Sequence, residues 1–371
     1  MSAVSVFVTG GAGFVGSCII DALQEYHPEW TISVFDLKSP ETPKSGVKYF
    51  TGDVTNLEDV RNALREVRPL IVIHTAGLVP PLAHRYIRAL RDKVFHINVD
   101  GTKNMLAAAK EFGAKAFVWT SSVCAVTDNM KYQYPNIDES WPTSGSGSLI
   151  YGESKAIVEP FVLAANEATF ATCSIRPSVL LGPDDYQLVP SIHSCIDKGE
   201  TPFVIGSGEN LWDVTYVTNV ADAHVLAAEN LITSKTAAGQ AIFISNNEPI
   251  TFRDLCLAIW ANFGHHPPYE VHIPGSLAVA VGYIAEWVAW LMGKPYTISG
   301  GSVLDACGMR YVTGQKAAQL LGYKPRVGIE EGIRLSCERY KEILKERSKI
   351  GNRKPINEKI ADGNVINGKV H

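Results

Sequence analysis

The residue types and spacing best suited to chemistry lie at Tyr151-Gly152-Glu153-Ser154-Lys155. On a helix, a tyrosine and a lysine four residues apart share one face, so the ammonium lies near the phenol. That positive charge, together with the charge of an oxidised nicotinamide, favours phenolate and lowers a pKa that is ordinarily about 10. Such a tyrosine takes the proton of an alcohol as hydride leaves the carbon. A tyrosine and lysine at this spacing are common by chance, as a surface phenol one turn from a solvated ammonium. The segments ahead of them select the catalytic reading.

The elements that must position this pair begin with Val4-Ser5-Val6-Phe7-Val8, which breaks into Thr9-Gly10-Gly11-Ala12-Gly13-Phe14-Val15-Gly16. The pattern predicts strand, tight turn, helix. Glycines 10, 13 and 16 permit positive φ, close approach of backbone to a pyrophosphate, and close packing of helix on strand. An anion then meets the helix N-terminus. A second strand, Thr31 to Phe35, ends in Asp36, about 20 residues beyond the last glycine, where a carboxylate accepts a ribose hydroxyl and repels a 2′-phosphate. The cofactor read from this is NAD in preference to NADP, although Lys38 is close enough to soften the choice.

Further strands are expected at Val47 to Phe50 and Leu70 to His74, with a helix from Leu57 to Val67 between them. Asp53, in Gly52-Asp53-Val54-Thr55, could meet an adenine or cap that helix, with Thr55 and Asn56 as rivals for the cap. Thr75-Ala76-Gly77 leaves backbone groups open to a ligand. His74 reads as a packed strand-end histidine. From Arg85 the pattern predicts one long helix through Asn98 to Phe112. Strand five, Ala116 to Thr120, delivers Ser121 and Ser122 to the carboxyl edge of the sheet, where open α/β sheets bind ligands.

With 371 residues and a net charge of −4, the chain suits one large α/β unit plus a smaller region and offers no reason to expect nucleic acid. Seven cysteines without a CxxC pair suit reduced thiols, and no metal-ligand cluster is apparent, His265-His266 lacking partners. The first strand begins at Val4, so no signal peptide is expected and the active domain should face the cytosol.

Together, Gly10xxGly13xxGly16, Asp53, Ser122 and Tyr151xxxLys155 resemble the extended short-chain dehydrogenase/reductases. That resemblance implies a catalytic set of Tyr151, Lys155 and Ser122, with Ser121 as the lesser choice of serine. It implies cofactor contacts from Gly10, Gly13, Phe14, Val15, Gly16, Asp36, Asp53, Val54, Ala76, Gly77, Asn98, Tyr151, Lys155 and Pro177, the last in the segment Arg176 to Pro183. Nucleotide-sugar enzymes of this family carry an arginine where this chain has Trp212, and an indole cannot neutralise a diphosphate. The stretch Trp212 to His224 resembles the 3β-hydroxysteroid dehydrogenase branch. Asp184 to Pro190 and Leu320 to Gly332 resemble its decarboxylating sterol-4α-carboxylate 3-dehydrogenases, with a long Leu78 to Val94 loop as a departure.

The expected fold is a Rossmann-type doubly wound parallel sheet over residues 1–177 and 212–247. A substrate-binding cap is expected at 178–211 and 248–346, and a disordered tail at 347–371. Oxidation of a sterol 3β-hydroxyl, with loss of carbon dioxide if a 4α-carboxylate is present, is the activity implied. Alternatives are the same oxidation of a terpenoid or meroterpenoid, a hydroxysteroid dehydrogenase/isomerase, and an NAD-sensing protein without turnover. Pro274 to Gly293 is nearly all apolar, but Glu286 argues against a membrane span. A helix lying in the membrane surface, or packed on the cap or on a second copy in a homodimer, are even readings. The resemblance adds association with the endoplasmic reticulum.

Overall fold

The computed structural model describes residues 4–86, 88–130, 132–145, 149–292 and 300–350. Seven apolar runs form strands β1 (Ser5–Thr9), β2 (Thr31–Asp36), β3 (Val47–Thr51), β4 (Ile71–His74), β5 (Ala116–Thr120), β6 (Ala171–Pro177) and β7 (Ala241–Ile244). All pair in parallel, in the order β3-β2-β1-β4-β5-β6-β7. Parallel strands covered on both faces need side chains that are apolar throughout, which is why the central runs β1, β4 and β5 lack the alternation that edge strand β3 shows. Val6, Val8, Ile71, Ile73 and Val118 pack beneath Ile19 and Leu23 of helix Phe14–Tyr26 and Val220 and Ala227 of helix Val217–Ile232. On the other face Phe7, Val72, Phe117 and Trp119 meet Leu64, Met105, Val158 and Val162. The strand order reverses between β1 and β4, so the crevice beyond their carboxyl ends is the ligand position of this fold.

Helix Leu57–Val67 is where the sequence predicts it, and Asn56 is its cap, accepting the Glu58 N–H at 3.0 Å. Asp53 instead accepts the N–H of Thr55 at 2.8 Å. The long helix expected from Arg85 is interrupted. A single turn, Leu82–Arg85, is followed by Arg91–Phe95, a π-helical turn His96–Asp100 and helix Gly101–Glu111. The π turn widens the helix where Asn98 faces the crevice, and the Thr102 hydroxyl donates to the Asn98 carbonyl at 2.6 Å.

The smaller region has its own core, in which Leu181, Val189, Leu255, Ile259, Trp260, Ile333 and Cys337 gather. A four-stranded sheet joins Ile250–Thr251, Leu211–Trp212, Arg310–Val312 and Tyr134–Ile137, so one strand comes from the first half of the chain. Helix Gly275–Met292 packs on helix Gly300–Cys307, close enough that a Cβ at Gly300 would lie 2.7 Å from the Tyr283 ring. The last helix, Ile329–Ile350, carries past residue 347, and the rest of the expected tail lies outside the described residues. Among the described residues no helix is long and apolar enough to cross a membrane.

Candidate active site

The glycine turn is closed by contact as well as by conformation. Gly10 has φ +69° and accepts the Gly13 N–H at 3.0 Å, and a Cβ on Gly16 would fall 2.2 Å from the Gly10 carbonyl oxygen. No side chain caps the N-terminus of helix Phe14–Tyr26, so its first amides remain directed at the crevice. The Asp36 carboxylate stands beside this turn, accepting from Ala12 N–H at 3.0 Å and Leu37 N–H at 2.7 Å. The ring of Phe14 reaches Gly182, bringing the segment after β6 over the turn. Val54 packs against Gly101, and Asp53 sits beside it at the β3 exit.

Farther along the crevice, Asn98 links three elements. Its amide accepts the Leu78 N–H at 2.7 Å and donates to the Leu78 carbonyl at 3.1 Å and to Ser154 Oγ at 3.0 Å. Ser154 in turn donates to the Tyr151 carbonyl. Ala76 N–H donates to Thr9 Oγ1 at 3.2 Å, and a Cβ on Gly77 would lie 3.2 Å from Asn98 Oδ1 and 3.6 Å from Lys155 Nζ. Gly77 therefore keeps open the space between these two groups. A dinucleotide fits this set: an uncapped helix start for its phosphates, Asp36 for a ribose, and a side-chain-free approach at Gly77 toward Lys155.

His74 is a core residue as the sequence predicts, fully buried between Thr9 Oγ1 at 2.6 Å and Thr102 Oγ1 at 3.0 Å. Burial, with the Lys155 charge, lowers its pKa to about 3, so it is neutral.

Tyr151 and Lys155 lie in the first turns of helix Ile150–Ala164, beside the end of β5. Lys155 is 3% exposed, donates to the Thr120 carbonyl at 2.7 Å, and sits 4.9 Å from the Trp119 ring centroid and 5.8 Å from that of Tyr151. Burial lowers its pKa to about 8 against the opposing pull of Glu159 and Cys124. Lys155 alone does not acidify the phenol, and the expectation rested equally on the charge of an oxidised nicotinamide. Burial raises Tyr151 above its ordinary range, Cys124, Tyr186 and Asp128 add to the rise, and a hydrogen bond with Ser122 opposes it. Ser122 is thus the hydroxyl brought to Tyr151, and it also accepts the Cys124 N–H at 3.2 Å. Ser121 is buried, with its Oγ unpartnered. Pro177 ties the next strand to this corner by accepting the Val123 N–H at 2.9 Å.

Several neighbours carry no motif and were missed by sequence reasoning. Asp128 accepts the Gly152 N–H at 3.0 Å, and Gly152 is required there, because a Cβ would lie 2.3 Å from the Cys124 carbonyl. Glu153 is buried between Arg88 at 2.6 Å and Arg91 at 3.3 Å, both from the Leu78 to Val94 loop. The crowding implied by Tyr-Gly and the run of arginines after Pro80-Pro81 were the available signals. The arrangement places a phenol, a serine hydroxyl and a desolvated ammonium together at the carboxyl edge of the sheet.

A profile of the family described as 3-beta hydroxysteroid dehydrogenase/isomerase matches residues 7–275. The decarboxylating sterol-4-alpha-carboxylate 3-dehydrogenase of Schizosaccharomyces pombe is 39% identical over 87% of this chain and 94% of its own. That of Saccharomyces cerevisiae is 36% identical over 89% and 95%. Among solved structures, Thermus thermophilus UDP-glucose 4-epimerase in complex with NAD is similar with a TM-score of 0.67 and 24% identity, over 91% of this chain and 99% of that one. This last likeness shows the doubly wound fold.

Proposed function

This chain belongs to the 3-beta hydroxysteroid dehydrogenase/isomerase family, and from that premise we propose that it oxidises the 3β-hydroxyl of a 4α-carboxysterol with NAD, with loss of carbon dioxide. The observation that carries the reading is the meeting of Tyr151 and Ser122 beside buried Lys155, at the mouth of a dinucleotide crevice. The two yeast relatives, alike over most of their length, support the substrate class. NAD, when bound, supplies the hydride acceptor. Tyr151 takes the hydroxyl proton, Ser122 donates to the same oxygen, and Lys155 holds the ribose side. The product is a β-keto acid. When its C–C bond to the carboxylate breaks, the electron pair flows to the C3 oxygen, already held by Ser122 and protonated Tyr151.

The test is NADH formation and trapped carbon dioxide from purified protein, given paired 3β-hydroxysterols with and without a 4α-carboxylate. Equal yields of both products from the acid are expected. NADH without carbon dioxide from the acid would remove the decarboxylation, and no NADH from either sterol would remove the substrate class.

The reading extends to the cytosolic face of the endoplasmic-reticulum membrane, with helix Gly275–Met292 lying in the bilayer surface. Its small residues Ala278 and Gly282 face inward, while Leu277, Val281, Tyr283, Ile284 and Trp287 are exposed, the last two by 61% and 62%. Apolar and aromatic side chains turned outward suit an interface, and a sterol partitions there. The Glu286 side chain lies outside the described set. Flotation with neutral phospholipid vesicles should carry the protein upward, and Ile284→Asp/Trp287→Asp should abolish it. A wild type that stays at the bottom as a dimer would assign the face to a second copy.

A further inference from the structure

Beside Ser122 and Tyr151 lies a guanidinium whose hydrogen-bonding capacity is largely unspent. Arg85, from the turn Leu82–Arg85, is 19% exposed. Its Nη2 is 3.9 Å from Cys124 Sγ and 3.7 Å from Asp128 Oδ1, while its buried Nε has no partner. A guanidinium has five N–H donors, and leaving them unpaired away from water is costly. Asp128 and Asp305 balance its charge without giving it a hydrogen bond. Asp305 is held by Arg310 and by the Tyr86 hydroxyl, and Asp128 spends its other oxygen on Gly152 N–H. Asp128 Oδ1 is itself unpartnered, because 3.7 Å is too long for a hydrogen bond.

The location gives this surplus a meaning. Cys124 follows Ser122 by two residues and bonds to its hydroxyl, and the Asp128 contact at Gly152 adjoins Tyr151. Arg85 is therefore one residue removed, through Cys124 and Asp128, from the groups proposed to hold the substrate C3 oxygen. The substituent nearest that oxygen is the one on C4.

We infer that Arg85 is the receptor for the acid group of the substrate, pairing with a carboxylate on the carbon next to the reacting alcohol and so selecting acid-bearing sterols over neutral ones. This rests on the proposed function for the substrate class and adds the residue that sets its specificity. A planar guanidinium matches a carboxylate with two parallel hydrogen bonds, which a methyl or an ester group cannot reproduce. Arg85 shares its loop with Arg88 and Arg91, which pair with buried Glu153 of the catalytic helix.

The test compares binding and turnover separately. Binding of a 4α-carboxysterol, its methyl ester and the 4α-methyl sterol is measured with NAD present, on wild type, Arg85→Gln and Arg85→Lys, alongside NADH formation. Wild type should prefer the acid to its ester by roughly 10- to 100-fold. Arg85→Gln should weaken binding of the acid far more than that of the neutral sterols and so erase the preference, and Arg85→Lys should retain part of it. No acid preference in wild type, or equal losses for acid and neutral sterols in Arg85→Gln, overturns the inference. Acid-selective binding through Arg85 without NADH would keep this receptor and overturn the oxidation reading instead.

Discussion

The two sides of the crevice are built in opposite ways. On the side proposed for the cofactor, His74, Asn98, Thr102, Ser154 and Lys155 form a buried chain in which each side chain has a hydrogen-bond partner. On the side proposed for the substrate, Arg85 Nε and Asp128 Oδ1 are buried without one. A paired network is preorganised and holds one geometry whatever arrives. An under-bonded one is completed by its ligand, and specificity follows because a ligand lacking the complementary group leaves the donors unpaired.

The largest expected effect breaks the link between the two sides. Tyr151→Phe removes the proton acceptor and keeps the ring, so kcat should fall by about 10³ or more while NAD affinity changes by less than about twofold. Full activity in this variant would detach Tyr151 from the chemistry.

The next effect tests how much the paired side costs the fold. Burial takes Lys155 from an ordinary 10.5 to about 8, so the unfolded chain binds more protons than the folded one between those values. Stability from this group rises as pH goes from 8 to 10.5, and a penalty on the order of 3 kcal/mol is present below pH 8. Lys155→Met should therefore be more stable than wild type near neutral pH, with the gap closing as the solution is made alkaline, as followed by urea unfolding across pH. Turnover should be lost throughout. A constant gap would show that the ammonium is not desolvated.

A smaller effect is expected at the ribose end. Asp36→Ala should reduce the NAD-to-NADP preference by roughly 10- to 30-fold, measured as the ratio of kcat/KM values. An unchanged ratio would remove Asp36 from the site.

The same contrast explains what could be read from the chain. Glycines 10, 13 and 16, Asp36, and the Tyr151 and Lys155 pair are each fixed by spacing within one turn, strand or helix, so local rules suffice. The boundaries of β5 and of helix Leu57–Val67 were legible for the same reason. The side proposed for the substrate joins Arg85, Asp128, Asp305 and Arg310, which only tertiary folding brings together, and no local spacing announces them. The apolar pattern of residues 85–112 runs smoothly through a π turn that adds a residue to the helical repeat, which hid the break. In helix Gly275–Met292 apolar residues lie on every side, so periodicity could not say which face packs inward. The small side chains do, because Ala278 and Gly282 are the buried positions of its middle turns. Lys155 alone does not lower the phenol pKa, because desolvation is the larger effect at a buried site, and the rest of that expectation belongs to the charge of the oxidised nicotinamide.

The smallest effect sharpens the comparison most. Ser121 and Ser122 are adjacent at the end of β5 and chemically identical, yet only Ser122 bonds to Tyr151, while the Ser121 hydroxyl is buried and unpaired. Removing an unpaired buried hydroxyl relieves its desolvation cost and leaves a small void, so the two terms nearly cancel. Ser121→Ala should change stability by less than about 1 kcal/mol. It should keep kcat within about twofold, because no reacting group depends on it. Ser122→Ala takes away the donor to the developing oxyanion and should lower kcat by about 10² or more. Unfolding midpoints and NADH rates of the two variants, measured side by side, decide it. Were Ser121→Ala the inactive one, the donor to the substrate oxygen would be Ser121, and its missing partner would be the substrate itself.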